Sequence, residues 1–335
     1  MTSIAPAALI SRLGSMINDC LGRYVEPDQP LAIVDFPDIR NCGDSAIWLG
    51  EMAWLKRHFG KEPSYVCRLH DFSESELRKA VPEGPIFIHG GGSFGDIWHG
   101  IQDFRERVIE AFPDRTIIQF PQSIHYNSPE RLAQSARVVG RHKNFKLMVR
   151  DRVSREIAEK HFDCEITLCP DMAFAIGPLP PRPSSFPILA MLREDLEKAD
   201  IGKWTFPDIP REDWITENRY KVKLAKLGGA IRAGFTSGAV RKYRFLDAAA
   251  NQRFERGISQ IARGEVIVTD RLHVHICSTL LGRPHVVLDN SYGKIGRLMD
   301  AFYPEGTGIT WRATDVEEAV SLARAQLSRV ESAAA

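Results

Sequence analysis

Pro85-Ile-Phe-Ile-His89 runs straight into Gly90-Gly-Gly-Ser-Phe-Gly-Asp96, and Thr116-Ile-Ile-Gln-Phe120 runs straight into Pro121-Gln-Ser-Ile-His125. Each is a short apolar run that stops at a glycine-rich or polar stretch, and a helical pattern follows: Phe104–Phe112 after the first, Pro129–Gly140 after the second. An apolar run of about five residues is too short for a buried helix and suits a strand covered on both faces. Two strands separated by a helix must lie parallel, so this stretch already predicts an α/β fold.

The same unit recurs on either side. Leu31–Phe36, Ser64–Cys67, Leu147–Arg150 and Ile166–Cys169 read as further strands, with helical patterns over Asp44–Phe59, Glu74–Ala80 and Ser154–Phe162. Upstream, Ile10, Leu13, Ile17 and Leu21 recur at helical spacing, as in a folded amphipathic helix rather than a signal peptide. Gly177-Pro-Leu-Pro-Pro-Arg-Pro-Ser-Ser then reads as a stiff, exposed connector. It divides the chain into a first domain over 1–177 and a second over 184–335. The second holds strands Phe186–Leu192, Glu265–Thr269 and His285–Asp289, and helices Asp270–Leu281 and Val316–Val330. Residues between about 193 and 250 read as irregular.

Composition narrows the function. Lys plus Arg total 44 and Asp plus Glu total 43, a balance that argues against a general nucleic-acid binder. No run of 18 apolar residues exists to span a membrane. The six cysteines are scattered without a CxxC pair, as expected of reduced thiols in a cytoplasmic protein and not of a structural zinc site. Residues 201–260 carry 12 Lys or Arg against 6 Asp or Glu. Within them Leu224, Leu227, Ile231 and Phe235 repeat at helical spacing among Lys221, Lys223, Lys226 and Arg232. Such a helix either packs its apolar side on its own domain, the more ordinary outcome, or lies on an anionic membrane.

Ligands of open α/β sheets bind beyond the carboxyl ends of the strands. Asn41-Cys-Gly-Asp44 follows the first strand, where Asp44 or Ser45 can cap the next helix and Gly43 permits a tight turn. Gly90, Gly92 and Gly95 match GxGxxG, but after the third strand, so the run predicts close backbone approach to a ligand rather than a dinucleotide site. Trp98 and His99 lie just beyond. Gln122, Ser123 and His125 follow the fourth strand. Arg150 closes an apolar run, either facing the site or paired with Asp151 or Glu156, and Ser154 can cap the helix after it. Thr269-Asp-Arg-Leu-His273 carries the sharpest signal. Arg271 at a helix N-terminus opposes the helix dipole, which points to a bound anion as compensation, with His273 beside it. His275 lies deeper in the helix and reads as structural. Asn290, Tyr292 and Lys294 surround a glycine turn after the last strand.

In order, Asn-x-Gly-Asp (41–44), Gly-Gly-Gly-Ser-Phe-Gly-Asp (90–96), Pro-Gln-Ser-Ile (121–124), Arg-Asp-x-x-Ser (150–154), Asp-Arg-Leu-His (270–273) and Asp-Asn-Ser-Tyr-Gly-Lys (289–294) resemble the polysaccharide pyruvyl transferases, above all the bacterial exopolysaccharide ketal-pyruvate transferases. The resemblance implies two Rossmann-like domains facing a cleft, as in the glycosyltransferase-B fold. The last helix is free to pack back on the first domain. The resemblance further implies phosphoenolpyruvate as donor and a sugar hydroxyl pair as acceptor. The motifs leave open whether the acceptor is a glycan or a lipid-linked oligosaccharide; for the latter, the basic stretch 219–244 could dock at the inner membrane surface.

On that resemblance Arg150, Arg271, Leu272 and His273, with Gly91, Gly92 and Ser93, hold the donor, and Arg150, Arg271 and His273 act in catalysis. His273 is the first choice of general acid. Asp44, Asp96, His99, Gln122, His125, Asn290, Tyr292 and Lys294 are candidates for the base or the acceptor contacts. No cofactor is implied with certainty. Asp44, Asp96 and Asp171 all follow strands, so a divalent ion bridging the donor phosphate stays open, although no metal motif stands out. A sugar-nucleotide glycosyltransferase of the same shape is the rival, since Arg271 would suit a diphosphate equally well.

Overall fold

The structure, a computed structural model, describes residues 4–194, 202–234, 236, 238–289, 293–304 and 307–334. After helix α1 (Pro6–Leu21), strands and helices alternate: β1 (Ala32–Val34), α2 (Cys42–Phe59), β2 (Tyr65–Val66), α3 (Glu74–Ala80), β3 (Ile86–Ile88), β4 (Gly91–Gly95), α4 (His99–Ala111), β5 (Ile117–His125), α5 (Pro129–Gly140), β6 (Phe145–Val149), α6 (Arg152–His161) and β7 (Glu165–Leu168). The strands form one parallel sheet in the order β2-β1-β3-β5-β6-β7, with β4 alongside the far end of β5. A short 3-10 turn, Met172–Ile176, follows.

Residues 177–185 carry neither helix nor strand and lead to a second parallel sheet. It comprises β8 (Phe186–Met191), β9 (Arg211–Glu212), α7 (Arg219–Ala233), α8 (Gly238–Ala262), β10 (Gly264–Thr269), α9 (Leu272–Leu280), β11 (His285–Leu288), α10 (Lys294–Phe302), β12 (Thr310–Ala313) and α11 (Val316–Ala334). Its strand order is β12-β11-β10-β8-β9.

Most of the expected strands form because their Val, Ile, Leu and Phe runs are buried on both faces, whereas β7 at the sheet edge is only half-buried. Several readings need correction. The glycine-rich stretch is not only a loop: Gly91–Gly95 pairs with β5, and β5 itself continues through Pro121-Gln-Ser-Ile-His125. Gly95 is required there, because its φ is +137° and a Cβ would meet the His125 carbonyl oxygen at 1.7 Å. The region read as irregular holds the 25-residue α8 as well as α7, whose helical spacing is visible from Leu224 to Ile231. The last helix does not turn back on the first sheet. Val316, Ala319, Val320 and Ala323 pack with β8, β10 and β11 residues. It is the first helix that crosses over. Ile4 bridges Thr307, and Arg12 Nη2 donates to the Phe302 carbonyl at 2.8 Å.

One hydrophobic cluster spans both sheets, joining Leu13, Ile17, Trp48, Trp54, Phe120 and Met148 to Leu189, Ile267, Ile276 and Tyr303. Close helix contacts sustain it. A Cβ on Gly50 of α2 would lie 1.8 Å from the Met172 carbonyl oxygen, and one on Gly257 of α8 would lie 2.9 Å from Cys42 Cβ. None of the six cysteines forms a disulfide.

Candidate active site

A cavity of about 330 Å³ opens where strands of both sheets end. Its walls include Asp44, Gly92, Ser93 and Arg150 from the first sheet's side, and Arg193, Arg271, Leu272, His273 and Lys294 from the second's. Larger surface grooves, among them one beside α8 and one around Arg115, contain none of the residues of the six motifs. Residue chemistry, not size, therefore selects the smaller cavity.

Arg150 stands at the end of β6 and is 2% exposed. Its Nη1 donates to Asp171 Oδ2 at 2.6 Å and its Nε to Ser123 Oγ at 2.9 Å. The ion-pair partner is thus Asp171, not Asp151 or Glu156. Asp151, rather than Ser154, caps α6 by accepting from the Ser154 amide at 2.7 Å. Arg150 Nη2 points past Gly92, where a Cβ would approach it to 3.0 Å. Gly91, at φ +125°, holds the backbone turn that brings Gly92 there.

Arg271 is the N-cap residue of α9, with Leu272 and His273 opening the helix itself. The expected need for a compensating anion is met within the chain. Asp213 Oδ2 accepts from Arg271 Nη2 at 2.7 Å, and its Oδ1 lies 2.6 Å from Nε, a close buried ion pair. Asp213 follows β9, in the stretch read as irregular, and no motif marks it. Asp270 does not cap α9; its Oδ1 accepts from the Arg193 amide at 2.8 Å and so fixes the loop bearing Arg193.

His273 Nε2 lies 3.4 Å from Asp171 Oδ2. One buried carboxylate therefore touches the two motif residues that come from different sheets. Burial alone would push the Asp171 carboxyl up. His273, the Arg150 guanidinium and the Ala173 amide outweigh it and hold that carboxyl well below the ordinary range. On its other side His273 packs on Gly43, where a Cβ would lie 2.5 Å from Nδ1. Gly43 thus serves close helix contact, not a tight turn. The cap of α2 is Asn41, whose side chain accepts from the Gly43 amide at 3.0 Å, and not Asp44 or Ser45. This leaves the Asp44 side chain to face the cavity.

A second layer fixes the glycine-rich wall. Gln122 Oε1 accepts from the Ser93 amide at 3.0 Å while its Nε2 donates to the His89 carbonyl at 3.0 Å. Buried Arg105 donates to Ser93 Oγ at 3.2 Å and to Gln119 Oε1 at 2.6 Å. Glu51 accepts from the Gly90 amide at 2.8 Å and meets His89 Nδ1 at 2.8 Å. Burial pushes the Glu51 carboxyl up, against the pull of His89.

Other expected site residues lie elsewhere. Gln122 is fully buried and positions Ser93. Asp96 accepts from the Asn127 and Ser128 amides at 2.8 and 2.7 Å and secures the turn into α5. His125 meets Asn127 Oδ1 at 3.1 Å, and exposed His99 opens α4; neither lines the cavity. Asn290 and Tyr292 lie outside the described residues. Lys294, the first residue of α10, does line the cavity, near Gly92. Trp98, Ile39 and Ile215, all exposed, form an apolar rim. His275 is buried between His285 Nε2 at 2.8 Å and Tyr303 Oη at 2.6 Å, a structural role. Among the described residues no three His, Cys, Asp or Glu side chains gather as a metal site.

Parallel sheets whose strand ends gather cations on one cavity define an α/β protein suited to an anionic ligand. Within that class the family is shown by comparison. The family model for polysaccharide pyruvyl transferase matches residues 41–292. Pyruvyl transferase 1 of Schizosaccharomyces pombe is 32% identical over 89% of this chain and 76% of its own. EpsO of Bacillus subtilis, named as a candidate pyruvyl transferase, is 30% identical over 78% of this chain and 81% of its own. A solved structure of a functionally uncharacterised protein from Klebsiella pneumoniae shares the fold at a TM-score of 0.51, covering 91% of this chain and 96% of that one at 16% identity. The chain belongs to the polysaccharide pyruvyl transferase family and is an enzyme that transfers pyruvyl groups to polysaccharide. Among the described residues no helix is long and apolar enough to cross a membrane.

Proposed function

We propose that the enzyme takes pyruvate from phosphoenolpyruvate and joins it as a ketal to two hydroxyls of one sugar, on an exopolysaccharide or its lipid-linked repeat unit. The observation that carries this reading is the convergence of Arg150, Arg271, His273 and Lys294 on one cavity. We place that cavity between two Rossmann-like domains, 1–177 and 184–335, arranged as in glycosyltransferase-B enzymes.

The charge balance supports the donor. Arg150, Arg193, Arg271 and Lys294 are offset by Asp44 at the wall and by Asp171 and Asp213 behind it. The surplus of positive charge favours a donor that carries both a phosphate and a carboxylate. Two guanidiniums suit the phosphate and the carboxylate, each through paired hydrogen bonds.

In the proposed reaction His273 protonates the donor's methylene carbon, and positive charge develops on the carbon bearing phosphate. A sugar hydroxyl attacks that carbon, its proton passing to a base. The C–O bond to phosphate breaks and inorganic phosphate leaves. The second hydroxyl adds to the cationic carbon and closes the ketal, its proton restoring His273, while the proton taken by the base leaves with the phosphate. One phosphoenolpyruvate and one diol give one ketal and one phosphate. Asp44 is the base candidate at the cavity wall; Asp96 and His99 are not. Trp98 on the rim offers a flat face to the acceptor sugar. Asp171 positions His273 against Arg150.

The test is a paired assay. Phosphate release from phosphoenolpyruvate should depend on acceptor glycan, and the glycan should gain the mass of one pyruvate less water. Thermal protection by sugar nucleotides but not by phosphoenolpyruvate would favour the glycosyltransferase reading instead.

A further inference from the structure

Helix α7 is inverted. Its large apolar residues Tyr220, Leu224, Leu227 and Ile231 recur at intervals of four, three and four, and so share one face. Of the stripe read from the sequence, Phe235 lies outside the described residues. Inward packing is the more ordinary outcome for such a stripe, but Tyr220, Leu224, Leu227 and Ile231 are 79%, 68%, 55% and 67% exposed. The inward face is built from Val222, Gly229 and Ala233, and from Lys226, whose Nζ reaches both Asp38 oxygens at 2.9 Å. A Cβ on Gly229 would lie 2.4 Å from the Arg244 carbonyl oxygen, so α7 sits tightly on α8 and cannot simply roll its leucines inward.

The charge around this stripe has one sign. From 218 to 246 the sequence holds eight Lys or Arg and no Asp or Glu. Lys226, Lys242 and Arg244 pair with Asp38, Asp71 and Glu62. Arg219, Lys221, Lys223 and Arg232 flank the apolar face and make no ion pair among the described residues. A protein interface is usually poor in lysine, and two copies of this face would bring like charges together. An apolar face bordered by Lys and Arg matches the chemistry of helices that lie in the headgroup plane of anionic bilayers.

We propose that α7 docks the enzyme on an anionic lipid surface, with Tyr220, Leu224, Leu227 and Ile231 inserted and the flanking cations against the headgroups. The remaining large exposed apolar residues among the described ones are Ile39, Trp98 and Ile215, all on the cavity rim. Ile215 lies four residues before α7, and Ile39 adjoins the Asp38 that anchors Lys226. Docking through α7 therefore brings the cavity mouth near the lipid, which suits a lipid-linked acceptor. That consequence rests on the reading above; the docking does not.

Flotation with phosphatidylcholine vesicles, with and without phosphatidylglycerol, tests the proposal. Binding should require phosphatidylglycerol and fall as salt rises. The triple variant L224S/L227S/I231S should lose about tenfold or more in binding, and K221E/K223E a similar amount. Circular dichroism and phosphate release with a water-soluble acceptor should stay unchanged in both. No binding to either vesicle overturns the proposal, as does binding indifferent to lipid charge and to both variants. So does a wild-type dimer that the triple variant converts to monomer without any vesicle binding. Vesicle binding by an enzyme that releases no phosphate from phosphoenolpyruvate would leave docking standing and remove the donor instead.

Discussion

The imidazole of His273 rests on the α-carbon of Gly43, so closely that a Cβ there would sit 2.5 Å from Nδ1 and 2.7 Å from Cγ. One residue belongs to α2 and the other to α9, so the contact ties the two sheets together at the cavity. Gly43→Ala suits a helix and by itself gains about 0.5–1 kcal/mol. The added methyl must displace the ring. The expected outcome is a fall in kcat of about tenfold or more with a change in Tm of only a few degrees. Equal activity of the variant would show that the ring's placement is not critical.

Arg271→Ala should abolish pyruvyl transfer, but it also strands Asp213, at a cost of about 3–5 kcal/mol. The double variant R271A/D213N should recover most of that stability and none of the activity. Urea titration and ketal formation on the same preparations separate the two effects. Activity returning with stability would mean that Arg271 serves the fold alone.

Asp44 and Asp96 both follow strands, yet only Asp44 lines the cavity. Asp44→Asn should lower kcat by roughly 10²–10⁴ if it is the base. Asp96→Asn should instead weaken the turn bonded to the Asn127 and Ser128 amides, costing about 1–3 kcal/mol with kcat little changed. The opposite pattern would exchange their roles.

Two buried carboxylates give opposite pH signatures. Asp171 is held below its ordinary value, so its contribution is present above about pH 4 and lost as pH falls below that. Asp171→Asn should flatten the acid limb of the stability profile while lowering stability at neutral pH. Asp35, at the end of β1 with φ +69°, is pushed up to about 6, chiefly by burial. Its cost therefore grows as pH rises from about 4 through 6. Asp35→Asn should stabilise the protein at pH 7 by on the order of 2–3 kcal/mol and change little near pH 3, since asparagine also tolerates positive φ.

Where the sequence was legible, burial and chemistry wrote the same letters. The runs around Ile33, Phe87, Ile118 and Val268 are apolar because both faces are covered, and the helix over Glu74–Ala80 carries its own Ser73 cap. Strand β4 escaped notice because a backbone that must fit between Arg150 and the His125 carbonyl is spelled in glycine. Helix α8 packs partly through Ala249, Ala250 and Gly257, small residues that thin out the apolar period set by Leu246, Ile258 and Ile261. In the site, Arg150, Arg271 and His273 stand at strand or helix ends and could be found there. Their pairing could not: Asp171 is visible after a strand but not as the partner of Arg150, and no motif marks Asp213. Asp213 is 58 residues from Arg271, and Asp171 is 21 from Arg150. Arg105 and Glu51 lie inside helices, where only three-dimensional contact reveals that they brace Ser93 and Gly90.

Helix α1 crosses to the far half of the molecule, bonding Phe302 and sharing a core with Ile276. It precedes every other described helix and strand in the chain, yet part of its cover comes from elements near the far end. Leu9, Leu13 and Ile17 share their buried cluster with Ile276, Phe302 and Tyr303, so they lack full cover until those residues are present. A chain interrupted near the proline-rich connector would carry that stripe exposed, so premature termination should yield an aggregation-prone fragment rather than a stable half-enzyme.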